Sequence, residues 1–290
     1  MTPTAAPLGL FEKLRVLAAV AAAVALLYAV GWMVAAPSDP NLAVTFVMSG
    51  RAVLAMWPGL AVLSVMAGIV GTVLAGPRLP KAGLFAAAIG LAALSVHGGG
   101  MQVLLANEGA TTTASRQAFM RAMAVDCALW SAIMVATWVA VTWAYRWVWL
   151  GEGAEGAETA LADDAMPRPK GNPKPRTTGG AKPQAVKAGW SAMIVTGVIG
   201  VFVVWLTVGR TPVANVARGQ TIASVAAGLY LGAMGARYFT GVRDGRWYLL
   251  AVPAVGLMAY LVGYLSADMS WAQGTKYQYY IDLATTPPHD

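Results

Sequence analysis

The chain has 290 residues, of which 58% are hydrophobic and only 11% are charged. Soluble domains carry roughly 25% Asp, Glu, Lys and Arg, so this composition excludes most water-soluble folds, and the high hydrophobicity excludes a disordered chain. One cysteine and two histidines leave no internal disulfide and too few ligands for most metal centres. The composition predicts an all-α integral membrane protein, for which we expect no metal and no cofactor.

Seven apolar stretches approach the length of about 20 residues that a helix needs to cross a bilayer core of about 30 Å. The first follows Lys13 and Arg15 and is too long for the apolar region of a cleaved signal peptide, so it predicts a retained signal-anchor. The sixth is short and rich in Gly and Ala, which makes six spans the alternative count. In chain order the stretches are residues 16–36, 52–75, 82–105, 123–150, 189–208, 221–236 and 248–267.

Lysine and arginine predict how the chain is threaded, because they are retained on the cytoplasmic side. With seven spans and the N-terminus inside, fourteen of them fall in inner segments and six in outer segments. Omission of the sixth span would move Arg237, Arg243 and Arg246 outside, so the bias favours keeping it. Heavy use of Ala, Gly and Val suggests a bacterial genome. We therefore expect a multi-pass protein of the bacterial inner membrane, with residues 151–187 and the N-terminus cytoplasmic and the C-terminus periplasmic.

The sequence divides into four predicted parts. They are a four-helix membrane half (residues 1–150), a charged linker (151–187), a three-helix membrane half (188–267) and an aromatic outer tail (268–290). The linker is rich in Pro and Gly and has no apolar face, so we expect it to be disordered. Its basic residues are candidates for contact with anionic lipid headgroups, and a solvated tether is the alternative. These residues are Arg168, Lys170, Lys174, Arg176, Lys182 and Lys187.

The most notable ionisable residues inside predicted spans are His97 in the third and Asp126 in the fourth. A charge within the bilayer is costly, so each is a candidate for function. The predicted threading puts both in the outer half of the membrane, where antiparallel neighbouring helices could bring them together. A paired His and Asp can pass protons near neutral pH. The alternative, which we favour, is a polar contact that holds two helices together.

The triplet Gly98, Gly99 and Gly100 follows His97 within the same apolar run. It either breaks the helix and exposes backbone groups to a cavity, as at ion sites, or permits close helix packing, which we favour. Three further charged residues are expected in the loop that follows and could extend a polar cluster there: Glu108, Arg116 and Arg121.

The sequence contains no HExxH, P-loop or GxSxG motif. It therefore predicts a non-catalytic subunit or scaffold of a larger membrane complex. The expected partners are the lipid bilayer with its anionic headgroups and other membrane subunits or further copies of the chain, and no nucleic acid. The first alternative is a small transporter or channel with a polar site near His97 and Asp126. A membrane-embedded enzyme is the second alternative.

Overall fold

The computed structural model describes residues 9–39, 42–50, 52–79, 81–98, 112–150, 181–208, 218–242 and 245–265. These residues form helices joined by short connections, and no strand occurs among them. The helices are α1 (Leu10–Ala35, with a π-helical turn at Leu26–Val30), α2 (Val53–Ala75), α3 (Ala82–His97), α4 (Thr113–Tyr145, continued by π-helical Arg146–Leu150), α5 (Ala181–Val208), α6 (Arg218–Thr240) and α7 (Gly245–Leu265).

Five helices in the described part of the chain are long and apolar enough to cross a membrane: α1, α2, α4, α5 and α7. The prediction of an all-α membrane protein is confirmed. The count of seven crossings is not, because α3 is apolar but only 16 residues long, or about 24 Å at 1.5 Å per residue. Helix α6, which the sequence marked as the weakest span, lies outside the set of five.

Helix α4 begins at Thr113, ten residues before the predicted start of the fourth span. Its start is capped reciprocally, because the Ser115 N–H donates to Thr112 Oγ1 and the Thr112 N–H donates to Ser115 Oγ, both at 3.1 Å. Arg116 and Arg121 therefore lie in a helix, and their predicted place in a loop is wrong. Apolar patterning marks only the part of a helix that is in hydrocarbon, whereas capping decides where the helix starts.

Helix α5 also begins earlier than predicted, at Ala181. The last seven residues of the segment predicted as disordered linker are thus helical. Pro183 lies in the first turn, where its missing N–H costs nothing, and the surrounding Ala, Lys and Gln favour helix. The remainder of the predicted linker and all of the predicted outer tail lie outside the described residues.

The chain forms two compact units. The first comprises Met1–Glu108 and Val125–Met166, and so contains α1 to α3 and most of α4. The second comprises Gly109–Ala124 and Pro167–Asp290, and so contains the start of α4 together with α5 to α7.

In the first unit, α2 and α4 run in the same direction and are joined by side-chain hydrogen bonds at two levels. Trp57 Nε1 donates to the carbonyl of Leu129 at 3.0 Å. Two turns further along, Ser64 Oγ and Thr137 Oγ1 are 2.8 Å apart. The Thr137 hydroxyl donates to the carbonyl of Ile133, so Ser64 is the donor in that pair.

Two side chains fasten the turn that ends α2. Arg15 Nε on α1 donates to the carbonyl of Leu74 at 2.7 Å, which satisfies one of the free carbonyls at the helix C-terminus. Gly76 follows with φ of 85°, and a Cβ there would lie 2.8 Å from the Arg15 guanidinium. Tyr145 on α4 donates its hydroxyl to the Pro77 carbonyl at 2.6 Å. The turn is therefore held from both neighbouring helices.

In the second unit, α5 and α6 approach closely through glycine. A Cβ on Gly228 would lie 2.8 Å from the Gly200 carbonyl oxygen, and one on Gly232 would overlap the Thr196 carbonyl oxygen. Gly228 and Gly232 have GxxxG spacing, which is typical of closely packed membrane helices, and here it permits close packing.

We expect Gly232→Ala to lower the free energy of unfolding by about 1–3 kcal/mol, because backbone must move to admit the methyl group. Gly235→Ala, three residues away on α6, is the matched control: its Cβ would meet only the Ile199 Cδ1 atom, 2.7 Å away at the end of a flexible side chain. Thermal unfolding in detergent measures both. Equal midpoints for the two variants would contradict close backbone packing at Gly232.

Candidate functional site

The connection between α1 and α2 folds back into the first unit instead of lying on its surface. The Ser38 N–H donates to the Ser49 carbonyl at 3.0 Å and closes the loop, and Gly50 adopts a φ of 72° that a side chain would strain. Phe46 and Ser49 are fully buried. We call residues 42–50 the docked segment. It belongs to neither a helix nor a sheet, so its backbone donors need partners from elsewhere.

Asp126 on α4 supplies two of those partners. Its carboxylate is 5% exposed, and Oδ1 accepts hydrogen bonds from the backbone N–H groups of Phe46 and Val47, both at 2.9 Å. Bonds from backbone N–H groups to a carboxylate are stronger than bonds to a neutral acceptor. One turn further along α4, the Trp130 ring packs against the Phe46 ring with centroids 4.7 Å apart. Asp126 therefore holds the docked segment against α4.

His97, the last residue of α3, contacts α1. Its ring stacks on Tyr28 and on Trp32, with centroids 4.1 and 4.0 Å apart and planes within 20° and 5° of parallel. Its Nδ1 lies 3.3 Å from the carbonyl oxygen of Tyr28, which belongs to the π-helical turn of α1. The His97 imidazole thus connects two helices in two ways, by stacking of its ring and by hydrogen bonding through a ring nitrogen.

Gly98 ends α3 and lets the docked segment approach. The residue is extended, with φ of −70° and ψ of 171°, so the helix stops at His97 and not at residue 105. A Cβ on Gly98 would lie 2.8 Å from Val44 Cγ2 and 3.1 Å from the Val44 nitrogen. Gly98 thus breaks the helix and permits close approach, in this case of the docked segment and not of another helix. Gly99 and Gly100 lie outside the described residues.

His97 and Asp126 have separate partners. No hydrogen bond or ion pair joins the two side chains within the described part of the chain: the histidine contacts α1 and the aspartate contacts the docked segment. Among those residues there is also no group of three His, Cys, Asp or Glu side chains placed to hold a metal ion. The arrangement fastens a non-helical segment against the end of α3 and the interior of α4. It does not form a proton pair.

The basic residues predicted to contact lipid fall in two places. Lys182 and Lys187 lie in the first two turns of α5, which corrects their predicted position in a disordered linker, and Lys187 is exposed. The other four lie outside the described residues: Arg168, Lys170, Lys174 and Arg176.

Sequence reasoning missed the docked segment and the aromatic partners of His97. Residues 42–48, LAVTFVM, are an apolar run too short to span a membrane, and such a run between two spans is a signal of a buried connection. Tyr28 and Trp32 are four residues apart, so they share a helix face. Nothing in the sequence relates that face to His97, because the contact joins residues about seventy positions apart.

We expect Asp126→Ala to lower the free energy of unfolding by about 2–4 kcal/mol, because two buried N–H groups lose their acceptor. Asp126→Asn keeps an acceptor oxygen at the same place, so its cost is about 1 kcal/mol or less. Thermal unfolding of both variants in the same detergent measures the difference. If Asn proves as damaging as Ala, a neutral acceptor cannot replace the carboxylate, and the expectation that any acceptor oxygen at this place is sufficient is wrong.

No family model, no curated protein and no solved structure matches this chain. The assignment of a function therefore depends on the contacts described above. Those contacts belong to an all-helical membrane protein with several apolar helices.

Proposed function

We propose that the chain is a non-catalytic subunit or scaffold of a larger membrane assembly. The observation that carries this proposal is the use of Asp126, the buried carboxylate of the first unit, as an acceptor for two backbone N–H groups. A carboxylate that carries ions or protons through a membrane needs a route to water and to a second titratable group. Asp126 is instead committed to holding the docked segment.

The hydroxyl groups within the helices support the same proposal. Side chains of Ser and Thr along α2, α4 and α5 donate to the carbonyl four residues earlier in their own helix, at distances of 2.6–2.8 Å. Hydroxyls bonded in this way are satisfied in an apolar environment and offer no row of free polar groups to a permeating ion. These residues are Thr72, Ser131, Thr142 and Thr196.

Such a subunit binds its partners through exposed apolar faces of its helices. Large side chains on α5 are exposed, among them Ile194 and Val198, which are four residues apart and share one face. Lipid covers such a face in a single chain, and helices of a partner cover it in a complex. We propose the inner membrane of a bacterium as the location, with the predicted linker on the cytoplasmic side, because the lysine and arginine bias favours that threading.

Gentle detergent extraction of the tagged chain at its natural level tests the proposal. We expect the same protein or proteins to co-migrate in constant stoichiometry through affinity capture and then size-exclusion chromatography. Asp126→Asn and His97→Phe, which remove titratable groups but keep an acceptor and a stacking ring, should leave that stoichiometry unchanged. A lone, monodisperse chain with no companion would contradict the proposal.

A small transporter or channel is the second candidate, favoured by the end of α3 at Gly98 within an apolar run. The two candidate functions predict different proton or ion flux for the same variants. In sealed vesicles that contain the purified chain, a transporter loses at least tenfold of its proton or ion flux in Asp126→Asn. A scaffold shows no flux above that of empty vesicles, with or without the substitution.

A further inference from the structure

We propose that one end of the second unit binds the headgroup of an anionic phospholipid, through Lys187 and Arg237. We call this end, where α5 and α7 begin and α6 finishes, the headgroup site. It is distinct from the assembly role proposed above, and it differs from the predicted contact between lipid and the linker because it is built on helix ends.

The pairing of α5 with α7 brings the start of α7 level with the second turn of α5. A Cβ on Gly189 would overlap the ring of Trp247, and a Cβ on Gly197 would lie 3.1 Å from Val255 Cγ2. Eight residues along α5 correspond to eight along α7, so the two helices run in the same direction with constant register. Lys187, two residues before Gly189, is therefore level with the first residue of α7.

The pairing of α5 with α6 brings the end of α6 to the same place. Gly228 packs at Gly200 and Gly232 packs at Thr196, so four residues forward on α6 match four residues back on α5. The helices are thus antiparallel. Extension of this register by five residues puts Arg237 level with Ser191, about one turn or 6 Å deeper than Lys187.

This end carries exposed basic side chains. Lys187 and Arg237 are both exposed. The described residues of the second unit contain no Asp or Glu. In the sequence, Arg243 and Asp244 join α6 to α7 and cancel in formal charge. Long basic side chains near helix ends extend towards the headgroup layer, so a difference of one turn in depth does not separate the charges.

Aromatic side chains surround these cations. Trp190 is 52% exposed and packs against Trp247 with centroids 5.9 Å apart, while Tyr238 and Phe239 are 84% and 73% exposed. Trp and Tyr concentrate at the level of the headgroups, where an apolar ring and a polar tip are both accommodated. Exposed rings beside exposed cations indicate a membrane interface and not an aqueous surface. The occupant must carry negative charge at that level, and an anionic phospholipid does so.

The full chain in non-ionic detergent, mixed with phosphatidylglycerol or phosphatidylcholine and examined by native mass spectrometry, tests the site. We expect phosphatidylglycerol to be retained in preference to phosphatidylcholine. Lys187→Gln and Arg237→Gln should each weaken binding of phosphatidylglycerol about fivefold, the equivalent of about 1 kcal/mol per cation near the surface, and the double variant about 25-fold. Arg237→Lys keeps the charge and should bind within about twofold of the natural chain.

Arg218→Gln is the matched control, because it removes one arginine at the other end of the same helix, nineteen residues from Arg237. It should leave binding of phosphatidylglycerol unchanged. Size-exclusion chromatography of each variant ensures that only folded protein is compared. Three results would overturn the proposal: a double variant that binds as tightly as the natural chain, a loss in Arg218→Gln as large as in Arg237→Gln, or displacement of the lipid by inorganic phosphate.

Discussion

Backbone polar groups that leave a helix inside an apolar protein must find partners, and this requirement organises the first unit. The connection from α1 to α2 is buried without being helical, so the N–H groups of Phe46 and Val47 need an acceptor. Asp126 provides one from α4. The position of a single carboxylate therefore fixes the docked segment against α4, and the docked segment in turn approaches the backbone at Gly98, just after the end of α3. The same requirement explains why Asp126 is buried although a carboxylate there is costly.

The main effect of glycine in these two units is to let helices pack closely against each other, and not to make the backbone flexible. Gly71 and Gly83 bring α2 and α3 together, since a Cβ on Gly71 would lie 3.0 Å from the Gly83 Cα, and Gly228 and Gly232 do the same for α6 against α5. In lipid, apolar side chains gain little by leaving the solvent, so helices associate through close van der Waals contact, which small residues permit. Many other large apolar side chains lie on the outside, where a bilayer or partner helices cover them. A subunit that joins a larger assembly needs this kind of surface.

The sequence predicted best which segments are long and apolar enough to lie in hydrocarbon. It predicted least well where helices begin and which residues contact one another. Apolar length alone identified α1, α2, α4, α5 and α7, because hydrocarbon imposes a minimum length on any helix that crosses it. It missed the first turns of α4 and α5, where the cap at Thr112 and the helix-forming residues after Ala181 extend each helix beyond its apolar part. The sequence singled out His97 and Asp126 as polar residues in apolar runs, and each makes contacts with a different element of the structure. Their partners were not predictable, because each partner lies on an element that periodicity does not relate to them.

The sequence by itself determined that the chain is an all-helical membrane protein. Composition and the length of apolar runs depend on the solvent that surrounds the helices and not on how the helices are arranged. Only the tertiary structure decided what the polar residues do. Asp126 bonds to Phe46 across 80 positions of sequence and His97 to Tyr28 across 69, and a pattern read along one helix carries no information about contacts at that separation. The physical reason is that hydrogen bonds and ring stacking depend on distance in space, which packing sets.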